Sequence, residues 1–420
     1  MALFLYDIAT TIAVPVSAVA LACSSKHRAL IGRFVPHVPR FSSSPVWVHA
    51  CSVGEVSVAK PVIDAMRKRW PDLPVLLTVS TVTGRKMADG FRSDVPVTWC
   101  PFDHRVSVSR FLQRVSPRAL ILVETEIWPN LIRCSVNRNI PVVVINGRIS
   151  DKHLHRYMRF SRWLRPVFSK ISLACMQNSE YAERIVELGV SPERVCVTGN
   201  TKFDGVALSI DPATTDQLRQ ECGIPPNSKV VVFGSTRPGD ERLAAACWRI
   251  LKQEFEELYF VIVPRHLERL KDVIQEFQGE SVILRSDLRS GVRRTCERII
   301  LVDVMGELVK FYSLATVAVI GGSFFPGVNG HNPLESAALG IPTVFGPFMR
   351  NFIDPAEALV KHGGASQVSA AEHLLAELRR LLNSSEERVL LGTRGREAVV
   401  ANQGAIQRTL DKLAPFFETI

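Results

Sequence analysis

The chain has 420 residues, 46% hydrophobic and 22% charged, with Gly and Pro at 25 each; it is too long for one ordinary core, fits two domains of roughly 200 residues, and leaves no room for a long disordered tract. The net charge of +10 is uneven: residues 1–205 carry 27 Lys+Arg against 15 Asp+Glu, and the remainder 24 against 26. The basic half calls for an anionic partner, either nucleic acid or a membrane surface or phosphorylated lipid.

The nine cysteines are scattered without a C-x-x-C pair. That argues against a disulfide framework and for a reducing compartment, and no Cys/His spacing supports zinc.

Residues 3–23, LFLYDIATTIAVPVSAVALAC, are nearly all apolar, and about 20 such residues can span a bilayer. No positive side chain precedes them, unlike a signal peptide. Lys26, Arg28, Arg33 and Arg40 follow, which favours a cytoplasmic position for the rest of the chain. Asp7 and Pro15 weigh against a spanning helix. An interfacial anchor and a buried helix of the first domain are the alternatives. Residues 1–24 are expected to be an N-terminal membrane anchor.

From there on, short β-branched runs alternate with longer helical patterns. The first half has strand candidates at 45–50, 75–80, 96–100, 119–124, 141–146, 171–176 and 195–198. The second has them at 229–233, 259–263, 281–285, 299–302, 317–320 and 342–345. This βαβα order predicts two Rossmann-like domains with parallel sheets covered on both faces, ligands gathering at the carboxyl ends of the strands in a cleft that the two face. The expected divisions are 25–205 for the first domain, 206–228 for a polar connection, 229–398 for the second domain, and 399–420 for a last helix crossing back to the first.

The first strand runs into His49-Ala50-Cys51-Ser52-Val53-Gly54-Glu55. A carboxylate at a helix start suits a general base, yet from spacing alone a capping role for Glu55 is the favoured reading. Glu124-Thr125-Glu126-Ile127-Trp128-Pro129-Asn130 ends another strand. Its two carboxylates share a face only if the chain stays extended. In 152–170, Phe160, Trp163, Leu164 and Val167 form one apolar helical stripe, flanked by Arg156, Arg159, Arg162, Arg165 and Lys170, with Pro166 kinking or ending the helix. An anionic lipid surface and a domain-packing role suit this helix equally. Gly199-Asn200-Thr201-Lys202-Phe203-Asp204 closes the first domain.

In the second half, strand ends carry Phe233-Gly234-Ser235-Thr236, Val263-Pro264-Arg265-His266, Asp303 to Leu308, and Gly321-Gly322-Ser323 leading to Gly330-His331-Asn332-Pro333-Leu334-Glu335. Backbone N–H groups at such turns bind phosphate, an Arg clamps it, and a Glu accepts from ribose hydroxyls. No D-x-D triplet occurs, so helix dipoles and basic side chains would stabilise the leaving group without a metal. No nucleic-acid motif is present, and the aromatics lie on helical stripes, so nucleic acid is set aside.

HACSVGE at 49–55, ETEIWPN at 124–130, GNTKFD at 199–204, PRH at 264–266, MGEL at 305–308, NGHNPLE at 329–335 and NQGA at 402–405, in this order, resemble the bacterial Kdo (3-deoxy-D-manno-octulosonic acid) transferases. The resemblance implies a GT-B glycosyltransferase on the inner membrane's cytoplasmic face. It would move Kdo from CMP-Kdo to the lipid A precursor lipid IVA by one inverting displacement, with no cofactor or metal. Glu55 resembles the family's general base, and Glu124 and Lys202 its transition-state stabilisers. Pro264 and Arg265, Met305, Gly306 and Glu307, and Asn332, Pro333, Leu334 and Glu335 resemble its CMP contacts. The loop before HNPLE departs from the family pattern in carrying Asn329-Gly330 after Phe324, Phe325 and Pro326. The alternative is another GT-B enzyme, such as a sugar-nucleotide epimerase or a transferase with a different lipid acceptor; a soluble epimerase needs neither the apolar segment nor the basic half.

Overall fold

Strands whose side chains are buried on both faces read as continuous apolar runs, and each run singled out above forms a strand. A computed structural model describes residues 6–14, 28–91 and 94–418. The chain makes two compact units, residues 1–204 with 403–420, and residues 205–402.

The first unit holds β1 (Val46–His49), β2 (Val75–Val79), β3 (Val97–Trp99), β4 (Ala119–Val123), β5 (Val142–Gly147), β6 (Leu173–Met176) and β7 (Val195–Val197). They lie in the order β3-β2-β1-β4-β5-β6-β7, all parallel. Alternate side chains feed two cores. Trp47, Leu120 and Val144 pack on one face, and Val46, Val48, Ile121 and Val143 on the other. The helix Ala405–Leu413 returns to cover that second face with Leu410 and Leu413, each contributing about 1.5–3 kcal/mol by burial.

The second unit holds β8 (Lys229–Thr236), β9 (Leu258–Pro264), β10 (Val282–Leu284), β11 (Ile299–Leu301), β12 (Val317–Ile320), β13 (Thr343–Phe345) and β14 (Ser366–Gln367). Their order is β10-β11-β9-β8-β12-β13-β14, again parallel. In both sheets the winding reverses beside the first strand, between β1 and β4 and between β8 and β12. Loops leaving such a switch point diverge and leave a crevice at the carboxyl ends.

Three expectations change. The stretch 206–228 is not a plain connection, because Pro212–Glu221 is a helix packed on Leu308–Leu314. Pro212 sits at its first position, where the missing N–H costs nothing, and Asp211 caps it by accepting from the Ala213 N–H. The helix expected over 152–170 is two, Asp151–Arg159 and Ser161–Phe168, broken at Phe160 with Pro166 inside the second. The expected anchor at 1–24 lies largely outside the described residues. Residues 6–14 are helical, with the Tyr6 hydroxyl donating to Asp103 at 2.7 Å and Asp7 paired with Arg133 at 3.2 Å. Among the described residues no helix is long and apolar enough to cross a membrane.

Candidate active site

β1 and β4 are neighbours in register, His49 opposite Leu122, so the segments that follow them leave the sheet side by side. After β1 the chain turns at Cys51-Ser52 into the helix Val53–Arg69, with Glu55 in its first turn. The Glu55 side chain folds back over that turn. Its Oε2 accepts from the Cys51 N–H and its Oε1 from the Ser52 hydroxyl, both at 2.7 Å.

After β4 the chain takes a left-handed step at Glu124, φ 58°. Such a step is costly for a residue with a side chain, and an observed outlier of this kind is a pointer to function. It turns the chain so that Glu126 comes to Glu55: the Cys51 thiol and the carboxylates of Glu55 and Glu126 lie within 4.8 Å of one another. Glu126 accepts from Trp128 Nε1 at 2.8 Å, and the neighbouring Cys51 thiol favours its charged form. Glu55 is 7% exposed. Burial, then the Glu126 charge, pushes its pKa up to about 8 against the pull of its two hydrogen bonds. Burial likewise raises Glu126 and holds the Cys51 thiol in its protonated form. A thiol and two carboxylates are metal-ligand types; ligation needs them deprotonated, which burial opposes.

Lys202 is set by a buried polar network. Asn146, left-handed at the end of β5 with φ 51°, accepts through its side chain from the Thr201 N–H at 3.0 Å. The Asn146 carbonyl accepts from Gln177 Nε2 at 2.9 Å, and Gln177 Oε1 accepts from Asn200 at 3.0 Å. Asn200 in turn caps the short turn Thr201–Phe203 by accepting from the Lys202 N–H at 3.1 Å.

In the second unit the carboxylates after β8 organise the switch point. Asp240 accepts from the N–H groups of Gly322 at 2.6 Å and Arg237 at 2.9 Å; burial raises its pKa to about 6. Glu241 accepts from the Thr236 hydroxyl and pairs with Arg269 at 3.0 Å. Gly321 packs against backbone, since a Cβ there would lie 2.6 Å from the Ser235 carbonyl oxygen. The resulting loop carries Arg237 to His331, Nε donating to Nε2 at 3.4 Å. Burial, then Arg237 and Arg265, lowers the His331 pKa to about 4. His331 is therefore neutral, while Arg237 and Arg265, which repel each other, gain from a bound anion.

The expected CMP contacts fall into two groups. Arg265 follows β9 and its charge reaches both His331 and Glu335. Asn332 donates to Glu335 at 3.1 Å and accepts from the Leu334 N–H, bracing Pro333 and Leu334 at the helix start. Met305 is exposed and Gly306 left-handed at φ 84°, and Glu307 forms an ion pair with buried Arg285, which also holds Glu221. Sequence reasoning passed over Arg237 and gave Glu126 no role. Arg237 was legible as a basic residue just past a strand end; nothing in the sequence marks the left-handed turn at Glu124 that redirects Glu126.

Residues 26–205 match the family described as 3-deoxy-D-manno-octulosonic-acid transferase (kdotransferase). The 3-deoxy-D-manno-octulosonic acid transferase of Haemophilus influenzae is 33% identical over 380 residues, 89% of this chain and 87% of the relative. In fold the chain is similar to the S. aureus MnaA–UDP structure, with TM-score 0.60, 13% identity, and 90% and 98% of the two chains covered. It is also similar to a glycosyltransferase from Rickettsia africae, with TM-score 0.59, 10% identity, and 90% and 100% covered. The chain is thus a glycosyltransferase and belongs to the 3-deoxy-D-manno-octulosonic-acid transferase family.

Proposed function

We propose that the chain transfers Kdo from CMP-Kdo to lipid IVA at the cytoplasmic face of the inner membrane, by one inverting displacement without a metal. Glu55 is the general base. It takes the proton of the acceptor hydroxyl as that oxygen bonds to the anomeric carbon of Kdo. The bond from that carbon to the phosphate oxygen breaks, and CMP leaves with its electron pair. The observation that carries the reading is the buried Glu55 carboxylate at the β1 end, fixed by two hydrogen bonds and with its proton affinity raised toward neutral pH. A base is most effective when its pKa lies near the working pH.

Arg237, Arg265 and His331 receive the anionic phosphate, with Asn332 to Glu335 and Met305 to Glu307 about the nucleotide. Glu124 and Lys202 stabilise the transition state. The lipid surface is met by exposed Phe160 and Trp163, stacked 5.8 Å apart, among exposed Arg156, Arg159, Arg162 and Arg165; aromatic and basic side chains together suit an anionic interface. Residues 1–24 add the anchor.

The test is CMP release from CMP-Kdo with lipid IVA in the presence of EDTA, followed by mass spectrometry of the lipid. A lipid heavier by one or more Kdo units is the expected result. CMP without a heavier lipid points to a different acceptor, no CMP at all to another GT-B reaction, and activity lost to EDTA and restored by a cation removes metal independence.

A further inference from the structure

Glu55 has a neighbour that the transfer reaction as written does not use. The β1–β4 register and the left-handed step at Glu124 deliver the Glu126 carboxyl to within 4.8 Å of both the Glu55 carboxylate and the Cys51 thiol. Cys51 is the hinge of this arrangement. Its backbone N–H holds Glu55 Oε2, and its thiol lies beside the Glu126 carboxyl. Cys51 thus fixes Glu55, and the Trp128 indole fixes Glu126 by donating at 2.8 Å.

Two carboxylates so close and largely desolvated resist ionising together, because the repulsion between like charges is poorly screened. The surroundings do not relieve it fully. The Ser52 hydroxyl and the Cys51 N–H favour the charged form of Glu55. Glu124 adds negative charge. Arg33 is the cation on this side, acting on Cys51 and Glu126, with its Nε committed to the Cys100 carbonyl at 3.0 Å. His49, fully buried beside the β2 end, stays neutral and supplies no charge.

We propose that Glu126 is a positioning residue for the base: in the resting protein Glu55 and Glu126 hold one proton between them, and the Glu126 charge makes Glu55 a stronger base once that proton has left. This rests on the assignment of Glu55 as general base. An isolated carboxylate is a weak base for a sugar hydroxyl, and a second negative charge beside it raises its affinity for the proton it must take. The bland alternative is that Glu126 only anchors the Trp128 loop through one hydrogen bond.

Glu126→Gln separates the two, because the amide oxygen still accepts from Trp128 while the charge is gone. The acid limb of the kcat/KM profile is expected to move to lower pH by on the order of one unit. The plateau should fall several-fold and the KM for CMP-Kdo stay unchanged, while Glu126→Asp keeps the wild-type limb. Infrared difference spectra near pH 7 provide a readout independent of turnover. The protonated-carboxyl band that Glu55→Gln removes should fall to about half its intensity in Glu126→Gln. An unmoved acid limb in folded Glu126→Gln overturns the proposal. If that variant does not fold, the wild-type minus Glu55→Gln spectrum decides: no protonated-carboxyl band near pH 7 overturns it equally. Full activity in Glu55→Gln, with the band behaving as expected, removes the base assignment and leaves the shared proton standing.

Discussion

Asp204 and Gly404, 200 residues apart in the chain, are joined by a hydrogen bond of 2.7 Å from the Gly404 N–H to Asp204 Oδ1. The same carboxylate accepts from the N–H groups of Ala405 at 3.3 Å and Ile406 at 2.5 Å. These are the open donors of the helix Ala405–Leu413, so Asp204 caps it from afar and complements its positive end. Two sequence motifs with no evident tie, GNTKFD and NQGA, meet in one contact.

Asp204→Ala is therefore expected to cost about 2 kcal/mol, the loss of charge-assisted bonds and the stranding of helix N–H groups. Urea denaturation measures it, with Asp204→Asn intermediate. An unchanged midpoint would mean that the apolar face of the helix alone holds it.

Glu55→Gln should lower kcat by roughly 10²–10⁴-fold, the usual worth of a general base. Calorimetric CMP binding should not change, since the proposed nucleotide contacts belong to residues 205–402. A variant retaining most of its activity would remove Glu55 from the chemistry.

The pH profile follows from the same group. Glu55, raised to about 8, is protonated and idle below that value and competent above it, so the rate should climb about tenfold per pH unit on the acid side. A flat kcat/KM between about pH 6 and 8 would show that the base titrates at an ordinary carboxylate value.

Glu124 sits at φ 58°, where glycine is at ease and glutamate is not. Glu124→Gly should stabilise the protein by up to about 1 kcal/mol while transfer falls. Stability that drops instead would mean that the side chain holds the turn.

Gly392, on the helix Ser385–Asn402, touches the turn at Gly340. A Cβ on Gly392 would lie 2.0 Å from the Gly340 carbonyl oxygen, and backbone cannot retreat as a side chain would. Gly392→Ala should cost about 1–3 kcal/mol, read as a lower thermal midpoint; no shift would show that the helix can move aside.

What the sequence by itself determined is the pattern of two parallel sheets and the segments at their strand ends. Runs such as PVVVIN and KVVVF are apolar on both faces, and only a strand covered on both sides explains that. Where the pattern is short or polar it fails. Ser366–Gln367 is a two-residue strand with no apolar signature, and Pro212 reads as a breaker when its place at a helix start makes it neutral. The tertiary structure alone decided which groups meet. Glu124 and Glu126 look equivalent in ETEIWPN, and a single left-handed residue separates their roles. Glu307 carries no sign in MGEL of its partner Arg285, which comes from another segment. Backbone sign at one residue and the pairing of distant charges are set by packing around them, and neither leaves a periodic trace in the chain.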